Sequence, residues 1–264
     1  MNRALLEGRD ITVQFGQGSN AFEAVKSASM YINSGEIVGI VGESGSSKTT
    51  LARVLVGLQP IRVGAVSLEE TLVLSSNSKK EIPKNERWKI QMVFQDPYSS
   101  LNPRIQAWKT VAEVFQVWKK LSPKQGKKAA FDLLQSIGIT ASQAKRYPRS
   151  LSGGQRQRVS IARALAPGPK VLIADEPTSS IDQSAQAQLI NLLNRLQSER
   201  DLAILFISHD LALVRYITSR VYVMKQGCIV EEGNTKTVLH RPKHPYTKLL
   251  LESLPGKVHQ QSSS

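Results

Sequence analysis

The sequence predicts an α/β fold built on a buried parallel sheet with a helical insertion, and three observations predict it. An apolar run, Glu36-Ile37-Val38-Gly39-Ile40-Val41, leads through a glycine- and serine-rich turn into residues with helical spacing. Two further runs, Val171 to Ala174 and Ala203 to Ile207, are continuously apolar and end in polar residues, as strands covered on both faces do. Between these blocks, from about Asp96 to Ser150, apolar residues recur three or four apart, the period of a helix with one buried face.

In chain order, Thr49 to Leu58 places Leu51, Val54, Leu55 and Leu58 on one helical face, and Ile90 to Phe94 reads as a short strand. Trp108, Val111, Ala112, Phe115 and Trp118 form a helical stripe, expected as core of the insertion and not as a binding surface. Pro97, Pro103, Gly126 and Pro148 are expected at the edges of its helices. Arg156 to Leu165 is a further helix, and Val221 to Glu232 reads as two strands joined at Gln226-Gly227. The tail after Pro255, ending Gln260-Gln261-Ser262-Ser263-Ser264, is expected to be disordered.

The 264 residues are 41% hydrophobic, enough for a sizeable core. The longest apolar stretches fall far short of the roughly 20 residues that cross a bilayer. The segment Met1 to Glu7 has no apolar run ending in a cleavage site, so a cytoplasmic chain without an export signal is expected. The single cysteine, Cys228, excludes an internal disulfide and a cysteine-based metal site. Thirty-five basic against 21 acidic residues give a net charge of +14. The basic residues are dispersed and no nucleic-acid motif accompanies them, so a membrane surface or membrane partner is expected and nucleic acid is not.

Ligands of such sheets bind beyond the carboxyl ends of the strands, and the chemistry-bearing residues collect there. Gly42-Glu43-Ser44-Gly45-Ser46-Ser47-Lys48-Thr49 lies between a strand and a helix and matches the phosphate-loop pattern G-x-x-x-x-G-K-[ST] but for Ser47, which stands where the last glycine belongs. Successive backbone N–H groups and the helix's positive end would hold phosphate oxygens, Lys48 would charge-pair with the β- and γ-phosphates, and Thr49 would ligate Mg²⁺. If Ser47 needs a left-handed backbone, the cost is about 1–2 kcal/mol; if its side chain enters the phosphate path, the site is blocked.

Asp175 and Glu176 end a buried strand: the first suits Mg²⁺ and the second a general base for the attacking water. Gln95, just after Ile90 to Phe94, suits Mg²⁺ or that water, and His209, just after Ile207-Ser208, suits the γ-phosphate. Ser152, Gly153, Gly154 and Gln155 open the helix that follows, presenting bare N–H groups as a second anion site. His240 and His244 are expected to be surface histidines.

Together these residues resemble the ABC ATPase family. The likeness runs through a near-Walker A at Gly42–Thr49, a Q-loop at Gln95, the signature Leu151–Gln155, Walker B at Val171–Glu176, a D-loop at Ser179-Ser180-Ile181-Asp182 and a switch His209, and covers about residues 5 to 255. It implies a P-loop NTPase with a RecA-like core, an antiparallel β-subdomain drawn largely from the N-terminal region, and an inserted α-helical subdomain at about 96–158, within a single domain 1–255. It implies ATP and Mg²⁺ as ligands, with Thr50 and Asp182 joining the nucleotide contacts and Phe15 stacking on adenine, Phe22 being the runner-up. It also implies a head-to-tail dimer in which Ser152 and its neighbours face the γ-phosphate held by the other subunit's Lys48.

More narrowly, Val93 to Arg104 and His244-Pro245-Tyr246-Thr247 are similar to the oligopeptide, dipeptide and nickel importer branch. That implies a peripheral protein on the cytoplasmic face of the inner membrane. Its expected partners are a second ATPase subunit, alike or different, two permeases and an extracytoplasmic solute-binding protein. A second reading is a regulatory subunit whose own site Ser47 impairs and whose signature serves an active partner.

Overall fold

The apolar runs pair into one sheet, and the residues that follow each run gather at one end of it. The computed structural model describes residues 4–76, 82–179 and 181–253, residue 19 without its side chain. In chain order the elements are β1 (Ala4–Phe15), β2 (Phe22–Asn33), β3 (Ile37–Val41), α1 (Lys48–Leu55), β4 (Val63–Leu68), β5 (Thr71–Ser75) and β6 (Ile90–Val93). Then come α2 (Pro97–Ser100), α3 (Ala107–Lys119), α4 (Pro123–Ser136), α5 (Ala141–Ala144), α6 (Gly153–Leu165) and β7 (Val171–Asp175). The chain continues through α7 (Gln183–Arg200), β8 (Ala203–Ile207), α8 (Leu211–Ile217), β9 (Arg220–Lys225), β10 (Cys228–Asn234), α9 (Thr235–His240) and α10 (Pro245–Glu252).

Six strands form the central sheet in the order β10-β9-β3-β8-β7-β6, parallel except for β10 at the edge. A second, antiparallel sheet runs β2-β1-β4-β5. The strand period of two divides the central strands between two cores. Val38, Ile40, Ile173, Leu205 and Tyr222 face the antiparallel sheet and α1. Ile37, Val41, Leu172, Phe206 and Val223 face the helices. Both faces are covered, so β8 is apolar throughout, and each such side chain taken from water contributes about 1.5–3 kcal/mol.

Three expectations need correction. The first helix stops at Leu55, because Gly57 turns the chain at φ 73°, and Leu58 is left 58% exposed. Gly126 marks no edge but lies inside α4, where its missing side chain lets α3 approach: a Cβ there would meet Gln116 Cγ at 3.1 Å and the Ala112 carbonyl oxygen at 3.2 Å. Trp118 leaves the aromatic stripe for solvent near the end of α3, while Trp108 and Phe115 pack on the core. The expected subdomain boundary at 158 falls within α6, and the expected disordered tail lies outside the described residues.

Candidate nucleotide site

The turn between β3 and α1 wraps around the Lys48 ammonium. Lys48 is 5% exposed, and its Nζ donates to the carbonyls of Gly42 and Glu43, each at 2.8 Å, and to Ser46 Oγ at 3.4 Å. Burial pushes its pKa down, while the negative charges of Glu176, Asp175 and Glu43 act to raise it. The last turn residue, Ser47, has φ 75° and ψ 21°, the left-handed conformation that a glycine adopts without steric cost. Its carbonyl still accepts from Leu51 N at 3.0 Å, so the helix starts normally.

Three strand ends bring the remaining chemistry to this turn. At the end of β7, Asp175 is buried and its Oδ1 accepts from Thr49 Oγ1 at 3.1 Å. Burial pushes the Asp175 carboxyl up, opposed by that hydrogen bond and by Arg53 and Lys48. A hydroxyl and a carboxylate are hard oxygen donors, the kind of short protein set that Mg²⁺ uses beside phosphates and water, so the pair fits the ion. Glu176 turns the chain at φ 42°, and its Oε2 accepts from Gln95 Nε2, beyond β6, at 2.9 Å. The same oxygen lies 3.4 Å from His209 Nδ1, beyond β8. A cleft of about 550 Å³ is lined by Ser44, Gly45, Ser47, Lys48, Thr49, Thr50, Gln95, Glu176 and His209.

The other expected residues stand apart from this lining. Phe15 is half-buried at the end of β1, its ring 5.7 Å from that of Phe22, itself 60% exposed. Ser152 caps α6: Ser152 Oγ accepts from Gln155 N at 3.3 Å while Gln155 Oε1 accepts from Ser152 N at 3.0 Å, a reciprocal box that occupies the glutamine side chain. Gly153 and Gly154 open the helix behind it. Asp182 caps α7 through Ala185 N at 2.8 Å, and Ser180 lies outside the described residues. His244 caps α10 through its Nδ1, which accepts from Tyr246 N at 3.1 Å. Sequence reasoning missed Tyr246 as a neighbour of the turn: its hydroxyl accepts from Glu43 N at 3.0 Å across 203 residues, a distance no local pattern reports.

Turn residues Ser44, Gly45, Ser47 and Lys48 line the same cleft as Glu176, at the carboxyl end of a parallel sheet. The molecule is therefore of the P-loop nucleoside triphosphatase class. The ABC transporter family model matches residues 25–179, and the chain belongs to that family and is one of its ATPases. A second model, the oligopeptide/dipeptide transporter C-terminal region, matches residues 230–262. The chain is 41% identical over 256 residues to the oligopeptide transport ATP-binding protein OppF of Streptococcus pyogenes serotype M1, covering 97% of this chain and 83% of that one. It is 44% identical over 255 residues to OppF of Streptococcus mutans serotype c, with 96% and 82% covered. Among solved structures it is similar to the ATP-binding cassette MJ0796 as a post-hydrolysis dimer bound to ADP and phosphate. That match has a TM-score of 0.77 at 27% identity and covers 87% of this chain and 98% of that one.

Proposed function

We propose that the chain is the ATP-hydrolysing subunit of an oligopeptide importer, held peripherally on the cytoplasmic face of the membrane. The observation that carries the hydrolytic part is the meeting of Gln95 and His209 on the Glu176 carboxylate, in the cleft that Lys48 also lines. Both contacts fall on Glu176 Oε2, which leaves Oε1 to take the proton of the water that attacks the γ-phosphorus. Lys48 and the turn's N–H groups hold the charge that develops as the β–γ bridge bond breaks, and His209 steadies the γ-phosphate. Thr49 and Asp175 would hold Mg²⁺, which neutralises phosphate charge, and Gln95 is a further candidate ligand. Phe15 would offer its ring to the adenine.

The expected assembly has a second ATPase subunit, two permeases and an extracytoplasmic solute-binding protein. Among the described residues no helix is long and apolar enough to cross a membrane, so the path for cargo would lie in other chains. The names of the relatives and the match to the C-terminal region favour peptides over nickel as cargo.

A second reading has one observation in its favour: Ser47 carries a side chain at a left-handed position and lines the cleft. The chain would then be an impaired ATPase that lends Ser152 to Gln155 to an active partner. Titration of Mg-ATP into the parent chain, Ser47→Gly and Lys48→Ala separates the readings. The parent is expected to bind within about thirtyfold of Ser47→Gly, the ceiling set by about 2 kcal/mol of relieved strain, with Lys48→Ala not binding. If only Ser47→Gly binds, the parent's own site is defective and the second reading replaces the first.

A further inference from the structure

The phosphate turn is held from behind by the last third of the chain. Gly42 lies so close to β9 that a Cβ there would sit 2.1 Å from the Met224 carbonyl oxygen. Gly227 N, in the β9–β10 turn, donates to the Ser46 carbonyl at 3.3 Å. Between these two contacts, Glu43 N donates to the Tyr246 hydroxyl. Tyr246 itself is firmly placed: it is 3% exposed and packs into the helix-side core, and Lys225 Nζ stands 4.7 Å from its ring centre. The segment leading into it is stapled to β10 by Glu231, whose carboxylate accepts from Lys243 N at 2.8 Å and His244 N at 3.0 Å.

We propose that Tyr246 is a positioning residue for ATP: through Glu43 N–H its hydroxyl fixes the phosphate turn, making α10 part of the nucleotide site. The inference rests on reading the turn as the ATP cradle. A turn of glycines and serines loses much conformational freedom when it closes on phosphate, and every contact that orders it beforehand lowers that cost. Glu43 is the turn residue whose N–H is engaged from outside by a side chain. Its anchor therefore acts on affinity, whereas the groups that carry out hydrolysis, Glu176 and Gln95, follow the ends of other strands, β7 and β6, and keep their geometry.

The test is Tyr246→Phe, which keeps the buried ring and deletes the acceptor. Loss of one neutral hydrogen bond predicts a rise of about three- to tenfold in the KM for Mg-ATP and in its Kd, with kcat within about twofold. Leu251→Ala, buried on α10 five residues after Tyr246, serves as the packing control: it lowers the melting temperature and leaves the Kd unchanged. In a Glu43→Pro background, where the donor is gone, Tyr246→Phe has no additional effect. A Tyr246→Phe chain that binds as the parent does, or a Leu251→Ala chain that loses as much affinity, overturns the proposal. Lys48→Ala keeps the two failures apart: if it still binds ATP, the reading of the cradle fails, and if it does not, only the role of Tyr246 is in question.

Discussion

Glu36, just before β3, is held by two residues through four hydrogen bonds. The Arg220 guanidinium grips it with two bonds, Nε to Oε1 at 3.0 Å and Nη2 to Oε2 at 3.1 Å, and Asn33 donates to Oε2 from its backbone and its side chain, each at 3.0 Å. Burial pushes the Glu36 carboxyl up, but these donors outweigh it and hold its pKa below the ordinary value of 4.5. A depressed native pKa means that the ionised group stabilises the fold fully above 4.5, and the contribution is lost as pH falls through the native value. Glu36→Gln is therefore expected to cost about 1–3 kcal/mol at pH 7, the scale for a partly buried charged hydrogen bond. The difference from the parent in denaturant melts should stay constant from neutral pH down to about 5 and shrink below that. A gap that does not change with pH would remove the charge from the account. None of this was legible in the sequence, because Arg220 lies 184 residues away. Ser47 was legible in the opposite sense: the pattern named its position as a glycine's, and the backbone there is left-handed.

At the scale of elements, the strands were the easiest to read, since β3, β7 and β8 are covered on both faces and show unbroken apolar runs. The antiparallel sheet was not legible from periodicity. Its strands β1 and β2 carry irregular registers and positive φ at Asp10 and Ser27, which break the alternation that a strand would otherwise show, and only the family resemblance anticipated it. Gly126 was misread for a physical reason: glycine usually punctuates a helix, but here it buys no turn and instead permits contact between α3 and α4. The close atoms on the facing helix give the prediction. Gly126→Val must displace Gln116 and push against the Ala112 carbonyl, so it is expected to lower stability by about 1–3 kcal/mol. Gly126→Ala, whose gain in helix propensity of roughly 1 kcal/mol offsets a milder crowding, is expected to melt within a few degrees of the parent. Equal melting temperatures for Val and parent would show that the two helices do not depend on this approach.

At the scale of the molecule, the two groups of residues proposed to meet a nucleotide lie apart within one chain. Lys48, Glu176 and His209 line one cleft, whereas Ser152 and the glycines after it are not among its lining residues and begin a different helix. Ser152 is exposed at the start of α6, so a second copy arranged head-to-tail could present that helix start to the first copy's cleft. Pairing two defective chains tests this directly. Lys48→Ala spoils a chain's own cleft and leaves its signature intact; Ser152→Arg does the reverse. Each alone is expected to be inactive. Mixed in equal amounts, half of the dimers are mixed, and each mixed dimer joins one intact cleft to one intact signature, so about a quarter of the parent's ATPase turnover should return. A parent that turns over ATP while the mixture stays silent would mean that each site is complete within one chain or that the copies do not exchange, and subunit exchange followed by fluorescence transfer separates those cases. If the parent alone is silent as well, either Ser47 impairs its own cleft or the complementary signature belongs to a different chain, and adding a second ATPase subunit to Lys48→Ala and to Ser152→Arg separately would identify which group of residues this chain contributes.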